Sequence, residues 1–227
     1  MRPAGLIAAA AVTALAAAGA ISYAVAEDGG APAGAHSAPA AAAPSPSVLA
    51  VPAPDSADAG FARDMAVHHQ QAVEMAYLVR DRTRDAEVRR LAYDIAQTQA
   101  NQRGMLLGWL DLWGLPKVSA EPPMTWMGMG DAAAGEDGAL MPGMATNTQL
   151  KKLNQLSGRQ AEILFLQLMT AHHRGGLHMA QGCVARCTVP AEKRLARSMA
   201  DGQRSELQLM AGMLKERGAA PDSAPDS

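Results

Sequence analysis

Four of the six histidines in this 227-residue chain stand as two adjacent pairs, His68-His69 and His172-His173. A neutral imidazole offers a nitrogen lone pair to a metal ion. Both pairs have thioethers close by in sequence: Met65 and Met169 lie one helical turn before them, and Met75 and Met179 follow at matched distances. The chain holds 14 methionines, of which Met124, Met127, Met129, Met141 and Met144 fall in one Gly- and Pro-containing stretch together with Trp126. Imidazole with thioether, and no carboxylate cluster alongside, is a donor set that suits copper better than magnesium, calcium or manganese. Histidine must be neutral to bind, so affinity would weaken as pH falls. A second reading stays open on the same residues. The histidines could be hydrogen-bonded core layers paired with Gln99, Gln203 or Glu206, and the four helical methionines could be gap-fillers of an apolar interior. His178, at the place where the first pair has Glu74, reads as a surface residue, and His36 carries no pattern.

The elements that position these groups come from an internal repeat. Sliding the chain against itself by 104 residues places Phe61 on Phe165, Met65 on Met169, both His pairs on each other, and Met75-Ala76 on Met179-Ala180. The register persists to Gly114 on Gly218, with 15 of 54 positions identical over 61–114 and 165–218. The identities fall on His, Met, Gln and Phe as well as on the abundant Ala, which argues for duplication. Each copy reads as a helical hairpin. In the first, Phe61, Met65, His68 or His69, Ala72, Met75 or Ala76 and Val79 recur at three-and-four spacing, a turn spans Arg80 to Asp85, and Val88, Leu91, Ile95, Gln99, Gln102 and Leu106 mark the inner face of a second helix ending near Gly114. The second copy opens with Ser157-Gly158-Arg159-Gln160, the order of a capping box, and runs to about Gly182; its partner starts near Thr188 with Pro190 in the first turn. Two such hairpins predict an all-α fold, an antiparallel four-helix bundle. The connection, 115–156, is long and holds a short predicted helix from Asn147 to Leu156.

Outside this domain of 58–218, residues 1–26 are an uncharged Ala-, Leu- and Ile-rich run behind Arg2, closed by Glu27 and Asp28. The run is expected to be either a signal peptide cleaved after Ala26 or a membrane anchor, with the rest of the chain on the outer side. Residues 27–57 are a Pro/Ala/Gly/Ser spacer and 219–227 a short tail. With 20 basic and 22 acidic side chains the net charge is −2, so no basic stripe is present for nucleic acid. No nucleophile-base-orienter set suggests a hydrolase, and no Gly-rich loop follows a strand to cradle phosphate. Cys183 and Cys187 are the only thiols. Their spacing permits a disulfide, expected in an extracytoplasmic protein, and Cu(I) binding by a reduced pair is the alternative.

The strings FARDMAVHHQQAVEMA at 61–76 and FLQLMTAHHRGGLHMA at 165–180, with Trp126-Met-Gly-Met129 between them, resemble the exported "domain of unknown function 305" family. That resemblance implies a ferritin-like four-helix bundle, often behind an N-terminal membrane segment or signal, and in some relatives a link to copper binding and resistance. Carried over position by position, it marks Met65, His68, His69, Met75, Met169, His172, His173 and Met179 as metal ligands. Gly175-Gly176 and His178 depart from the commoner second motif, and two glycines in mid-helix cost about 1 kcal/mol each against Ala. The leading expectation is an exported copper-handling protein that binds without catalysis. The alternatives are a ferritin-like oxidoreductase and a metal-free structural domain. The oxidoreductase lacks the Glu-x-x-His pairs of di-iron bundles, since Asp64, four before His68, has only Leu168 as counterpart.

Overall fold

The structure, a computed structural model, describes residues 51–130, 135 and 137–221. The apolar run and most of the spacer, at 1–50, and the end of the tail lie outside the described residues. Among those described, five α-helices occur and no strand: α1 (Ala57–Arg82), α2 (Ala86–Leu112), α3 (Asn147–Gln155), α4 (Gly158–Arg186) and α5 (Pro190–Glu216), with one 3-10 turn at Thr125–Met127. None is long and apolar enough to cross a membrane.

The long helices run further than the apolar periodicity alone predicts, because the caps lie outside it. Ser56 accepts from the Ala59 amide and starts α1 four residues before Phe61. Asp85 accepts from the Glu87 and Val88 amides and starts α2, leaving only Thr83, Arg84 and Asp85 between the two helices. The capping box expected at Ser157 does not form. Gly158 takes φ +55°, a left-handed turn that Gly tolerates, and the Ser157 hydroxyl makes no cap bond. The box is found instead at Thr146 and Gln149 of α3, where both reciprocal bonds are present.

α1 pairs with α2 and α4 with α5 as hairpins, and the two hairpins meet along α1 and α4. The order of the core residues makes that seam antiparallel. One apolar cluster joins Phe61 and Met65 of α1 to Met179 and Cys183 of α4; the other joins Met75 and Val79 to Phe165 and Met169. Leu106 and Leu110 of α2 and Trp113 just beyond it share the first cluster with Ala196 and Met199 of α5, and Val88 and Leu91 share the second with Met210 and Leu214. Burying side chains such as these, Phe, Met and Leu without exposed surface, contributes about 1.5–3 kcal/mol each. Polar ties repeat at the two ends. Asp58, buried at the start of α1, accepts from the Thr188 and Val189 amides at the start of α5. Glu162, its counterpart 104 residues on, accepts from the Thr83 hydroxyl and from Arg217.

The connection between hairpins lies on the α1–α4 seam. Asp64 accepts from the Met124 amide (2.7 Å) and the Trp126 indole (2.9 Å), and the Gln71 amide both donates to and accepts from the Ala145 backbone at 2.8 and 2.7 Å. Between these anchors Pro142 and Gly143 pass so close to α4 that a Cβ on Gly175 would stand 2.0 Å from the Pro142 carbonyl oxygen, and one on Gly176 would stand 2.7 Å from the Gln203 amide. The paired glycines therefore leave α4 unbroken over its 29 residues and give the connection and Gln203 room to approach. Gly175→Ala should lower the unfolding free energy by about 1–3 kcal/mol through overpacking. Gly104→Ala, whose Cβ would meet nothing within 4 Å, should raise it by about 0.5–1 kcal/mol. Urea unfolding followed by circular dichroism measures both.

Candidate metal centre

The four paired histidines sit between the two apolar clusters, and none has exposed surface. Neighbours on a helix point about 100° apart, and the structure uses that angle to divide each pair. His68 of α1 and His172 of α4 meet in the seam with ring centroids 3.7 Å apart and planes tilted by 31°. His69 turns toward α2 and His173 toward α5. Their Nε2 atoms meet Gln102 Oε1 at 2.8 Å and Glu206 Oε2 at 2.6 Å, partners that are themselves 104 residues apart. The sequence places both members of each pair near one site; the structure joins only His68 and His172, because α2 and α5 each claim the outer imidazole.

These contacts set the tautomers. A carbonyl or carboxylate oxygen accepts, so Nε2 of His69, His172 and His173 carries the proton, the acceptor for His172 being the His68 carbonyl at 2.9 Å. The Nδ1 atoms of these three rings are buried, and none has a hydrogen-bond partner. The Pro142 backbone bears on the His68 ring, but neither His68 nitrogen makes a hydrogen bond of full geometry. Around them Gln99 and Gln203, buried repeat mates, leave both amide atoms unpartnered. A buried polar group without a partner costs about 1–3 kcal/mol. Oriented imidazoles with Nε2–H bound to carbonyl or carboxylate are also how proteins present histidine to metals.

Burial keeps three of these imidazoles uncharged. His68 and His69 are pushed down to about 3, first by desolvation and then by neighbouring histidines, with the Gln102 bond opposing part of the effect at His69. His172 lies well below the ordinary range for the same reason, with His68 as the next cause. Neutral imidazole is the metal-binding form.

The thioethers flank the layer on both sides. Met65 and Met179 belong to one apolar cluster with Met124, Met141 and Met199, while Met75 and Met169 belong to the other with Met210 and Met213. Met127, Met129 and Met144 pack half-buried against the first cluster. Among the described residues the histidines do not gather with carboxylates or with one another into any group of three close donor atoms. An ion here would combine at most two imidazoles with sulfur, a donor set for a soft cation of low coordination number. No di-iron arrangement is present: Asp64, raised by burial and bonded to Met124 and Trp126, anchors the connection, and Glu162 lies at the far end of α4. His178 is exposed. Cys183 and Cys187 are joined in a disulfide across the last turn of α4.

Sequence reasoning passed over Asp58, Glu162, Gln71 and Glu192, and weighed Asp64 only as an iron ligand. The acidic match of Asp58 and Glu162 extends the repeat three residues further back and was a usable signal; Asp64 and Gln71 have no repeat mate of like type.

The model of the "Domain of unknown function (DUF305)" family matches residues 58–214. The chain belongs to the DUF305 family. Among solved structures, a Streptomyces coelicolor DUF305 protein named as a candidate secreted protein is 70% identical, with a TM-score of 0.70 over 75% of this chain and 99% of its own. A DUF305 fragment from Deinococcus radiodurans is 31% identical, TM-score 0.58, over 70% and 96%. CopM in its Cu(I)-bound form shares the fold at 19% identity and TM-score 0.53, over 70% of this chain and 96% of its own, and CopM in its Cu(II)-bound form at 21% and 0.54. Comparison with curated proteins gives no match.

The neutral histidines couple stability of this DUF305 domain to pH with a definite sign. A histidine at about 3 in the folded state and near 6.5 when unfolded binds fewer protons folded, so its contribution is complete above 6.5 and is lost as pH falls toward 3. Glu192, raised to about 9 by burial and by Asp58, acts oppositely and weakens the fold as pH rises from 4.5 to 9. Replacing His68 and His69 by Gln removes the first effect alone. Relative to that variant, the wild-type melting temperature should drop by about 10 °C or more between pH 7 and pH 4.5, a loss of a few kcal/mol at roughly 2–4 °C each.

Proposed function

We propose that this DUF305 protein acts outside the cytoplasm as a copper-handling protein, sequestering or passing on the ion through histidine and methionine without chemical turnover. The observation that carries the reading is the sealed imidazole layer: five ring nitrogens without a well-formed hydrogen bond, on four buried histidines, bordered on both sides by methionine sulfur. Of the candidate ligands, His68 and His172 with Met65 and Met179 form the first set, and His69, His173, Met75 and Met169 the supporting one. Likeness of fold to CopM, whose structures hold Cu(I), Cu(II) and Ag, supports the class of ion. The secreted character ascribed to the Streptomyces relative supports the compartment, as does the apolar run at 1–26, read as a signal or a membrane anchor. In the same reading the four long helices are a ferritin-like antiparallel bundle produced by duplication of a hairpin.

A structural role for the layer is the second reading, favoured by the Nε2 bonds of His69, His172 and His173. Copper titration separates the two. Anaerobic Cu(I), and separately Cu(II), should bind the wild-type chain and raise its melting temperature, by about 2.7 kcal/mol of stability at a hundredfold excess over Kd. The variant with His68, His69, His172 and His173 changed to Gln should lose at least about tenfold in affinity while retaining its helix content. Equal binding and an unchanged melting curve in both proteins would leave the layer purely structural.

A further inference from the structure

At one place three repeat mates that share a turn differ in chemistry together. In the first hairpin, Val79, Thr83 and Val88 close the turn between α1 and α2. Shifted by 104, the same three positions are Cys183, Cys187 and Glu192 in the turn between α4 and α5. Val79 and Val88 are fully buried, so an apolar residue satisfies that place in the fold. The second hairpin replaces the whole contact set with groups that ligate metals. Their donor atoms lie within 4.8 Å of one another, the only such group of three among the described residues.

Charge makes the difference sharper. At the α1–α2 turn the buried Glu162, reaching across from α4, is balanced by Arg217, which also pairs with Asp85 at 3.0 Å. The repeat mate of Arg217 is Trp113, so the α4–α5 turn has an indole at the matching place. Asp58 is buried there and uses its oxygens on the Thr188 and Val189 backbone. Glu192 stands beside it with no exposed surface, and burial together with the charge and hydrogen-bonding influence of Asp58 raises it to about 9, so that it holds its proton at neutral pH. A second buried carboxyl thus adjoins two sulfurs at this turn, with Trp113 at the place that Arg217 fills beside the other turn.

We propose that, once the Cys183–Cys187 disulfide is reduced, its two thiolates and the Glu192 carboxylate hold one divalent cation of borderline softness, Zn2+ or its heavier relative Cd2+. This site is separate from the histidine layer and takes a different class of ion. Two cysteine sulfurs and one carboxylate oxygen are three ligands of a tetrahedral centre whose fourth position remains for water. Cleaving the S–S bond takes two electrons from a thiol or phosphine reductant, which ends as a disulfide or as a phosphine oxide whose oxygen comes from water. Each sulfur gains a proton. The cation then displaces the protons of both thiols and of Glu192 to solvent and keeps its own oxidation state. The disulfide thus closes the site under oxidising conditions, and reduction opens it.

The test uses the full-length chain, reduced with a phosphine without oxygen, freed of reductant and titrated with Cd2+. Reduced wild type should take up one Cd2+ with thiolate-to-cadmium charge-transfer absorption in the ultraviolet, and the bound ion should protect both cysteines from alkylation. The oxidised chain and the reduced Cys183→Ser chain should lack that two-thiolate signature. Glu192→Gln should weaken binding by at least about tenfold, no less than the loss from an outer-shell partner. Glu192→Val, the residue of the repeat mate, should keep the fold by circular dichroism and weaken binding equally. The variant with all four paired histidines changed to Gln should bind Cd2+ as wild type does, which distinguishes this site from the copper layer. Absence of the band in reduced wild type overturns the proposal. So does equal affinity in the Glu192 variants, the result expected if cadmium merely met thiols of an unravelled chain.

Discussion

Everything in this molecule is arranged around the cost of burying four imidazoles at one crossing. A seam of two helices made only of apolar residues would pack without polar partners to find. Here α1 and α4 instead bring His68 and His172 ring to ring, and the fold must keep them uncharged and keep water out. Desolvation does the first. The apolar clusters on both sides and the connection that lies along the seam do the second. Polar atoms left unpartnered in such a place are costly against a total stability of about 5–15 kcal/mol. In the proposed function, holding a soft ion offsets that cost.

Duplication explains how a chain with few aromatic residues and modest apolar stripes builds this centre. Each hairpin supplies the same items: a seam histidine, an outer histidine with a partner 33 residues on, a buried glutamine, and a methionine on either side. Antiparallel pairing of the copies turns one hairpin's set into a layer with sulfur above and below. The copies also reveal where selection departed from symmetry. Glu206 stands in for Gln102, giving His173 an anionic partner that His69 lacks. Cys183, Cys187 and Glu192 stand in for an apolar turn, and Trp113 for Arg217.

The connection holds the seam shut. Asp64 ties down Met124 and Trp126, Gln71 ties down Ala145, and the glycines at 143 and 175 allow the backbones to touch between them. Gly143, at φ +83°, takes a turn that other residues adopt only with strain. The methionines it carries are thereby divided: Met124 and Met141 enter the core, while Met127, Met129 and Met144 stay half-exposed at its rim. Access to the layer would run past those rim sulfurs.

Helix type, the hairpin pattern and the inward face of each helix were legible in the chain because three-and-four spacing and a 104-residue period are properties of order along the sequence. The family was legible for the same reason, through the doubled Met-x-x-His-His strings. Helix ends were less so: the Ser56 and Asp85 caps sit outside the apolar stripe, and the expected cap at Ser157 yielded to the left-handed Gly158. What the tertiary structure alone decided is which donors share space. Sequence puts His68 and His69 side by side, yet a helix turns neighbours about 100° apart, and only the placement of α2, α4 and α5 determines that His68 finds His172 while His69 finds Gln102. The same holds for Glu192 beside Cys183 and Cys187. Nothing local marks it as different from any first-turn glutamate, and its raised pKa exists only because the fold buries it and α1 brings Asp58 across to meet it.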